Sequence, residues 1–182
     1  TALPAPLTSF IGREREVARI DALLEHERLV TLTGPGGMGK TRLALHAAAA
    51  QTRRFQGGVH FVSLVPVTDP GLVPQSVAQA LGLRDAGAGT HGERLIGQLR
   101  ERRVLLVLDN FEHLLEAAPF VAELLANCHG VAVLATSRAP LGIGGEHELP
   151  VPPLSVATPE EMTTPERLAD PGDAVRLFVQ RA

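Results

Sequence analysis

The chain has 182 residues, of which 45% are hydrophobic and 20% charged, and its formal net charge is −3. This composition fits one folded domain with a real core. The negative charge and the absence of tryptophan and tyrosine argue against a nucleic-acid-binding surface in this segment. The single cysteine, Cys128, excludes an internal disulfide, and no run is apolar enough for a membrane span. We therefore expect a cytoplasmic protein.

The first residues, 1–9, are rich in proline and resemble the end of an interdomain linker. Apolar residues then recur at helical spacing from Val17 to Leu24, which predicts an amphipathic helix. The stretch 10–13 precedes it, and its apolar pair before Gly12 could form one wall of a pocket for a nucleotide base. An ordinary helix start is the structural alternative.

The most informative stretch joins a predicted strand, 28–33, to a predicted helix, 40–52. Its glycine-rich turn fills every fixed position of the phosphate-loop pattern G-x-x-x-x-G-K-[ST] with Gly34, Gly39, Lys40 and Thr41. Glycines let several backbone N–H groups converge on an anion at a helix N-terminus. Lysine adds positive charge near the β- and γ-phosphates, and the threonine hydroxyl is a ligand for Mg²⁺. The stretch predicts a nucleoside-triphosphate site.

Two alternatives compete for the same glycines. Gly34, Gly36 and Gly39 also match the dinucleotide fingerprint G-x-G-x-x-G, which needs an acid about twenty positions further on, at the end of the next strand. The predicted second strand, 59–64, ends without an acid, and a Lys-Thr pair has no function in a dinucleotide fold. A glycine turn that binds nothing is the second alternative, and the strand–loop–helix context disfavours it.

A second candidate for the site follows two predicted helices, 72–81 and 93–101. The unbroken apolar run before Asp109 predicts a strand buried on both faces, as in a parallel sheet. Open α/β sheets bind ligands at the carboxyl ends of their strands, so Asp109 has the position of a Walker B aspartate that holds Mg²⁺ through water. Its alternative is the N-cap of a predicted helix, 112–127, for which Asn110 would serve equally well.

The remaining strands complete a fold prediction. A fourth strand, 131–135, is followed by Arg138, which could reach a γ-phosphate or be a solvated arginine. Prolines confine a fifth strand, 147–151, to an edge. We predict an α/β P-loop NTPase fold, a three-layer sandwich with a mainly parallel five-stranded sheet of order 2-3-1-4-5 flanked by helices. The predicted domains are a nucleotide-binding domain at 10–154, a hinge at 155–172 and the start of a truncated helical domain at 173–182.

The motifs stand in one order along nearly the whole chain. Phe10-Ile11-Gly12-Arg13-Glu14 comes first, then the phosphate loop, Leu105 to Asn110, and Thr136-Ser137-Arg138. Together they resemble the NB-ARC-like nucleotide-binding domain of STAND P-loop ATPases. Residues 106–113, 137–141 and 148–154 are similar to those of bacterial transcriptional regulators of the AfsR/SARP and large LuxR types.

The resemblance implies ATP or ADP with Mg²⁺ as ligands and assigns a role to each motif. The turn at Ile11, Gly12 and Arg13 would hold the adenine. Asp109 and Thr41 would hold Mg²⁺, and Arg138 would sense the γ-phosphate. The phosphates would lie against the loop and the start of the helix, formed by Gly34, Pro35, Gly36, Gly37, Met38, Gly39, Lys40, Thr41 and Arg42.

The implied function is a switch. Members of this family rest with ADP, exchange it for ATP on a signal and then oligomerise, while DNA would be bound only by a domain outside this segment. Asn110 departs from the pattern, because vigorous relatives carry an acid there and an amide cannot accept a proton. Hydrolysis would then be slow or would rely on Glu112. The family's downstream ADP clamp would lie beyond Ala182, so this segment would bind nucleotide more weakly than the whole protein.

Two functions from other classes remain open. A P-loop phosphotransferase acting on a small molecule would need a basic lid, for which the only candidates are the arginines around 100–103. A degenerate loop that serves only as an interaction scaffold gains weight from Asn110. A GTPase or a transport ATPase is disfavoured, since the Asn-Lys-x-Asp and Leu-Ser-Gly-Gly motifs are absent from the sequence.

Overall fold

A computed structural model describes residues 3–4, 10, 12–83 and 89–154. In this part of the chain, five parallel strands form one sheet that has helices on both faces. In chain order the elements are α1 (Glu14–His26), β1 (Leu29–Thr33), α2 (Lys40–Ala50), β2 (Val59–Ser63), α3 (Val73–Ala80), α4 (His91–Leu99), β3 (Val104–Asp109), α5 (Ala118–Asn127), β4 (Val131–Ser137) and β5 (Glu146–Pro150). The predicted α/β class is confirmed.

The strand order is β2-β3-β4-β1-β5, so the predicted order 2-3-1-4-5 was wrong. Strand β4 lies between β1 and β3, where its Val133 faces Leu29 on one side and Leu106 on the other. All seven residues of β4 are buried, as expected of a central strand. Because β1, β3 and β4 are all buried on both faces, hydropathy did not distinguish their neighbours.

Two apolar clusters sandwich the sheet. Residues of α3, α4 and α5 cover one face, and residues of α1 and α2 cover the other. The alanines Ala44, Ala47 and Ala48 of α2 are fully buried, which lets this helix lie close to the strands. Close packing fixes the first turn of α2 at the carboxyl ends of the strands, next to the phosphate loop.

Among the described residues, strand β5 pairs with β1 alone and forms an edge of the sheet, as its prolines predicted. Helix α4 begins at His91, two residues before its predicted start, because Thr90 and Glu93 form a capping box. The helix predicted at 112–127 is shorter in the structure than in the prediction. Two 3₁₀ turns occupy its first part, and α5 begins at Ala118 with Pro119 in its first turn.

Several predictions lie outside the described residues. The linker 1–9 is described only at residues 3 and 4, and the hinge 155–172 and the helix from 173 are not described. Within the described part, none of the helices has the length and apolar character needed to cross a membrane.

Candidate nucleotide-binding site

The phosphate-loop sequence forms a turn between β1 and α2 that favours glycine at two points. Gly39 has a φ of 78° and directly precedes α2. Gly34 has a φ of 143°, and a Cβ added there would lie 3.1 Å from the carbonyl oxygen of Val151. Glycine adopts such angles without the steric cost of a side chain. No described side chain caps the N-terminus of α2, so its first N–H groups suit an anion.

Lys40 is buried in the loop that precedes it, with 9% of its surface exposed. Its Nζ donates to the carbonyl oxygens of Gly34 at 2.7 Å and Pro35 at 2.9 Å. An ammonium group has three donors, so these two bonds leave one. The positive charge is therefore concentrated inside the curve of the loop, where an anion would need it.

Asp109 lies at the end of β3 and meets the loop directly. Its Oδ1 accepts a hydrogen bond from the hydroxyl of Thr41 at 2.7 Å and another from the hydroxyl of Thr136 at 2.7 Å. The carboxylate is buried, with only 6% of the residue exposed. A carboxylate and a hydroxyl are hard oxygen donors of the kind that Mg²⁺ prefers, so this pair fits a magnesium site.

Thr136 is a site residue that the sequence analysis did not assign. Its Oγ1 donates to Asp109 and accepts from the backbone N–H of Asn110 at 3.0 Å. This contact requires β4 to lie beside β3, so the wrong strand order concealed it. In the sequence, Thr136 is a polar residue at the end of an apolar run, two positions before Arg138, and this pattern could have indicated its role.

Glu112 and Arg138 form an ion pair beside the loop. The Nε of Arg138 donates to Oε1 of Glu112 at 3.1 Å, and the side chains are 69% and 17% exposed, respectively. The Nη2 of Arg138 lies 3.9 Å from the point where a Cβ of Gly36 would be. Asn110, with a φ of 71°, begins the turn that carries Glu112. The structure therefore brings the predicted residues Gly36, Asn110, Glu112 and Arg138 to one edge of the sheet.

Arg13 is buried and joins two distant segments. Its Nη2 donates to the carbonyl oxygens of Met38 at 3.0 Å and Pro152 at 2.8 Å. Its Nη1 lies 3.7 Å from Oε1 of Glu16 and has no hydrogen-bond partner among the described residues. Arg13 thus ties the phosphate loop to the residues that follow β5. Ile11, the first residue of the predicted adenine turn, lies outside the described residues.

An open cleft of about 460 Å³ adjoins these contacts. It lies between α1, the start of the loop and the end of β5, and it includes Arg15, Glu16, Thr33, Pro35 and Pro150. The ring of Phe10 stacks on His46 of α2, with centroids 4.1 Å apart. The predicted base pocket therefore has a cleft nearby, while the Phe10 ring is already covered on one face.

The arginines proposed for a phosphotransferase lid lie at the other end of the sheet. Arg100, Arg102 and Arg103 precede β3 and line a separate cleft with His129, which precedes β4. Asp109 and the phosphate loop are at the carboxyl ends of the same parallel strands. A strand of six residues separates the two ends by about 20 Å. These arginines cannot cover the loop.

A glycine-rich turn before a helix, with a strand-end carboxylate bonded to the first hydroxyl of that helix, defines an α/β P-loop protein. Residues 9–135 match the family model described as AAA ATPase domain. Because this match spans most of the chain, the protein belongs to that family of ATPases.

Sequence relatives include several bacterial proteins. An uncharacterized protein of Mycobacterium tuberculosis is 42% identical over 177 residues, which cover 97% of this chain and 42% of that protein. A putative HTH-type transcriptional regulator of the same organism is 43% identical over 162 residues, or 88% of this chain and 17% of the regulator. Regulatory protein AfsR of Streptomyces griseus is 32% identical over 173 residues, covering 87% and 17%. The chain thus spans less than half the length of these relatives, and the predicted resemblance to AfsR is confirmed.

Solved structures share the fold at low sequence identity. A STAND protein with a tetratricopeptide repeat sensor from Pyrococcus horikoshii matches with a TM-score of 0.62 and 18% identity, over 98% of this chain and 29% of that one. A chain of Drosophila ORC bound to DNA matches with a TM-score of 0.58 and 18% identity, over 76% and 43%. These likenesses show the architecture alone.

Proposed function

We propose that this chain is the adenine-nucleotide-binding switch domain of a larger bacterial transcriptional regulator, with residues 10–154 forming the domain. The proposal rests on the contact between Asp109 and Thr41, which lies in the first turn of α2. It joins the two oxygen ligands that Mg²⁺ would need to the loop that suits phosphates. The names of the relatives supply the regulatory context.

The proposed roles follow the geometry of each side chain. The N–H groups of residues 34–42 and the ammonium of Lys40 bind the phosphates. Thr41 and Asp109 bind Mg²⁺, which neutralises charge on the phosphate oxygens when it is present. Arg13 contacts the loop at Met38, near the cleft at the end of β5, and we propose that the turn of Ile11, Gly12 and Arg13 holds the adenine on this side.

We further propose that hydrolysis is slow. Asn110 occupies the position after the strand-end aspartate, and its amide cannot accept a proton from water. Glu112, two positions further along the chain, is an alternative base, but its Oε1 already accepts a hydrogen bond from Arg138. A slow ATPase suits a switch, because the triphosphate state then persists long enough to be read by other domains.

The larger assembly completes the proposal. The ATP-bound state would promote oligomerisation through domains that follow residue 154. We propose that residues 155–172 are a hinge and that a helical domain begins at 173–182. DNA would be bound by a separate domain of the cytoplasmic regulator, as the description of the relative as HTH-type suggests.

Lys40 offers a direct test, because it is the only lysine in the sequence. We expect Mg²⁺-ATP and Mg²⁺-ADP to protect it from an amine-selective reagent. Lys40→Ala should weaken nucleotide binding about tenfold or more, since it removes a charge-assisted bond. Arg53→Ala, in the exposed 3₁₀ turn after α2, is the matched control and should bind as the parent does. Equal labelling with and without nucleotide would contradict the proposal and favour the scaffold alternative.

A further inference from the structure

The ion pair between Glu112 and Arg138 joins the turn after β3 to the residue after β4. The bond between Nε of Arg138 and Oε1 of Glu112 is 3.1 Å long. Glu112 is mostly buried, whereas the side chain of Arg138 is 69% exposed. The carboxylate is therefore the fixed partner of the pair, and it restrains an arginine that would otherwise sample many rotamers in water.

The direction of that restraint is toward the phosphate loop. While Nε of Arg138 is bonded to Glu112, its Nη2 faces Gly36 of the loop. The Nζ of Lys40 lies against the neighbouring carbonyl of Pro35. Because the lysine of such a loop reaches the β- and γ-phosphates, this part of the loop is where a third phosphate would lie. Nη2 of Arg138 is thus near the part of the loop where that phosphate would lie.

The turn before Glu112 makes this placement rigid. Asn110 adopts a left-handed conformation, and its N–H is held by Thr136 of the adjacent strand. Oε2 of Glu112 is buried without a hydrogen-bond partner among the described residues. An unsatisfied carboxylate oxygen costs free energy, so the bond to Arg138 is the compensation that the described structure offers this side chain.

We infer that Glu112 is a positioning residue, which holds the guanidinium of Arg138 over the phosphate loop and thereby lets the site favour a nucleoside triphosphate over a diphosphate. The inference rests on the proposed function and assigns Glu112 a role other than that of a base. A guanidinium fixed in advance loses less side-chain entropy when it meets a phosphate oxygen.

The competing effect of Glu112 is its own charge. A carboxylate near the phosphates repels them, so removing it would strengthen triphosphate binding if it did nothing else. The two effects have opposite signs and can be separated, because positioning needs Arg138 and repulsion does not. A double-mutant cycle measures the difference.

The test is calorimetric titration of Mg²⁺-ATP and Mg²⁺-ADP into the parent chain, Glu112→Gln, Arg138→Ala and the double variant. Glu112→Ala is a second substitution at the same position, and Glu116→Gln alters an exposed acid of the next turn as the control. We expect Glu112→Gln to lower the ratio of ATP to ADP affinity about twofold to fivefold, with ADP affinity nearly unchanged. In the Arg138→Ala background, the same change should leave that ratio unchanged or raise it.

Three outcomes would overturn the inference. If Glu112→Gln and Glu112→Ala raise the affinity ratio, or leave both affinities unchanged, while Arg138 is present, the carboxylate does not position it. If both nucleotides lose affinity equally, Glu112 has only a structural role. If the parent chain binds neither nucleotide, the proposed function fails as well, which distinguishes this result from the first two.

Discussion

The hydroxyl of Thr41 donates a 2.7 Å hydrogen bond to Asp109, although 68 positions of sequence separate the two residues. Strand β4 lies between β3, which ends at Asp109, and β1, which leads into the loop before Thr41. Thr136 of β4 bonds to the same carboxylate oxygen. The sheet thus brings two hydroxyl groups and the phosphate loop to one buried carboxylate. This arrangement makes Asp109 the residue through which a divalent cation and a nucleotide would influence each other.

Asp109→Ala should weaken Mg²⁺-dependent ATP binding about tenfold or more, because it removes the carboxylate ligand of the cation. Binding of ADP in the presence of EDTA should change little. Calorimetry with and without Mg²⁺ measures both effects, and Glu123→Gln, on the exposed face of α5, is the control. An equal loss for Mg²⁺-free ADP would indicate that Asp109 serves only to hold Thr41 and Thr136 in place.

Asn110→Asp should raise the rate of ATP hydrolysis several-fold, since a carboxylate can accept a proton from water. Aspartate also tolerates the left-handed conformation that this position requires, so the turn should be preserved. Asn110→Gly is the matched control, because it permits the same backbone angles without adding an acid. Phosphate release measured over single and multiple turnovers tests the change. If the rates of both variants equal that of the parent, the lack of an acid at this position does not limit turnover.

Arg13→Ala should lower the free energy of unfolding by about 1–3 kcal/mol, because it removes two charge-assisted bonds to backbone carbonyls. The loss should appear as a lower midpoint of urea unfolding. Arg15→Ala changes an exposed arginine two positions along and should leave the midpoint within error. An unchanged midpoint for Arg13→Ala would mean that the loop and the segment after β5 are held together by other contacts.

We expect the buried thiol of Cys128 to lower the free energy of unfolding in alkaline solution. Burial raises the pKa of its thiol, so the folded chain retains the proton at pH values where the unfolded chain releases it. The stability contributed by this group is present below the thiol's unfolded pKa and declines as the pH rises through the raised folded value. Urea unfolding between about pH 8 and pH 10 would measure it. The sequence has no tyrosine and one lysine, so few other groups titrate there, and Cys128→Ala should flatten the dependence.

Much of the fold could be predicted because local patterns are strong here. The apolar run before Asp109 specified a buried parallel strand, and the glycines around Lys40 specified the loop. The sheet order could not be predicted, because it depends on which of three similarly buried strands pair. That single long-range fact determines the contact of Thr136 with Asp109. The capping box of Thr90 and Glu93 was a local signal that the predicted helix start overlooked.

The side-chain contacts of the site were beyond sequence reasoning for a different reason. The motif around Arg13 suggested a base pocket, but the carbonyl groups that bind its guanidinium come from residues 25 and 139 positions away. The pairing of Glu112 with Arg138 likewise depends on the turn at Asn110 and on the neighbouring position of β3 and β4. Such contacts follow from tertiary packing, which a local pattern does not encode.

Binding of adenine nucleotides through the phosphate loop is best measured by calorimetric titration of the chain with ADP, ATP and GTP, each with Mg²⁺. Nucleotide carried through purification is first removed and quantified. We expect saturable binding of ADP and ATP with one site per chain and much weaker binding of GTP. If neither this chain nor one extended beyond Ala182 binds any nucleotide, the loop is not a nucleotide site and is left as a scaffold.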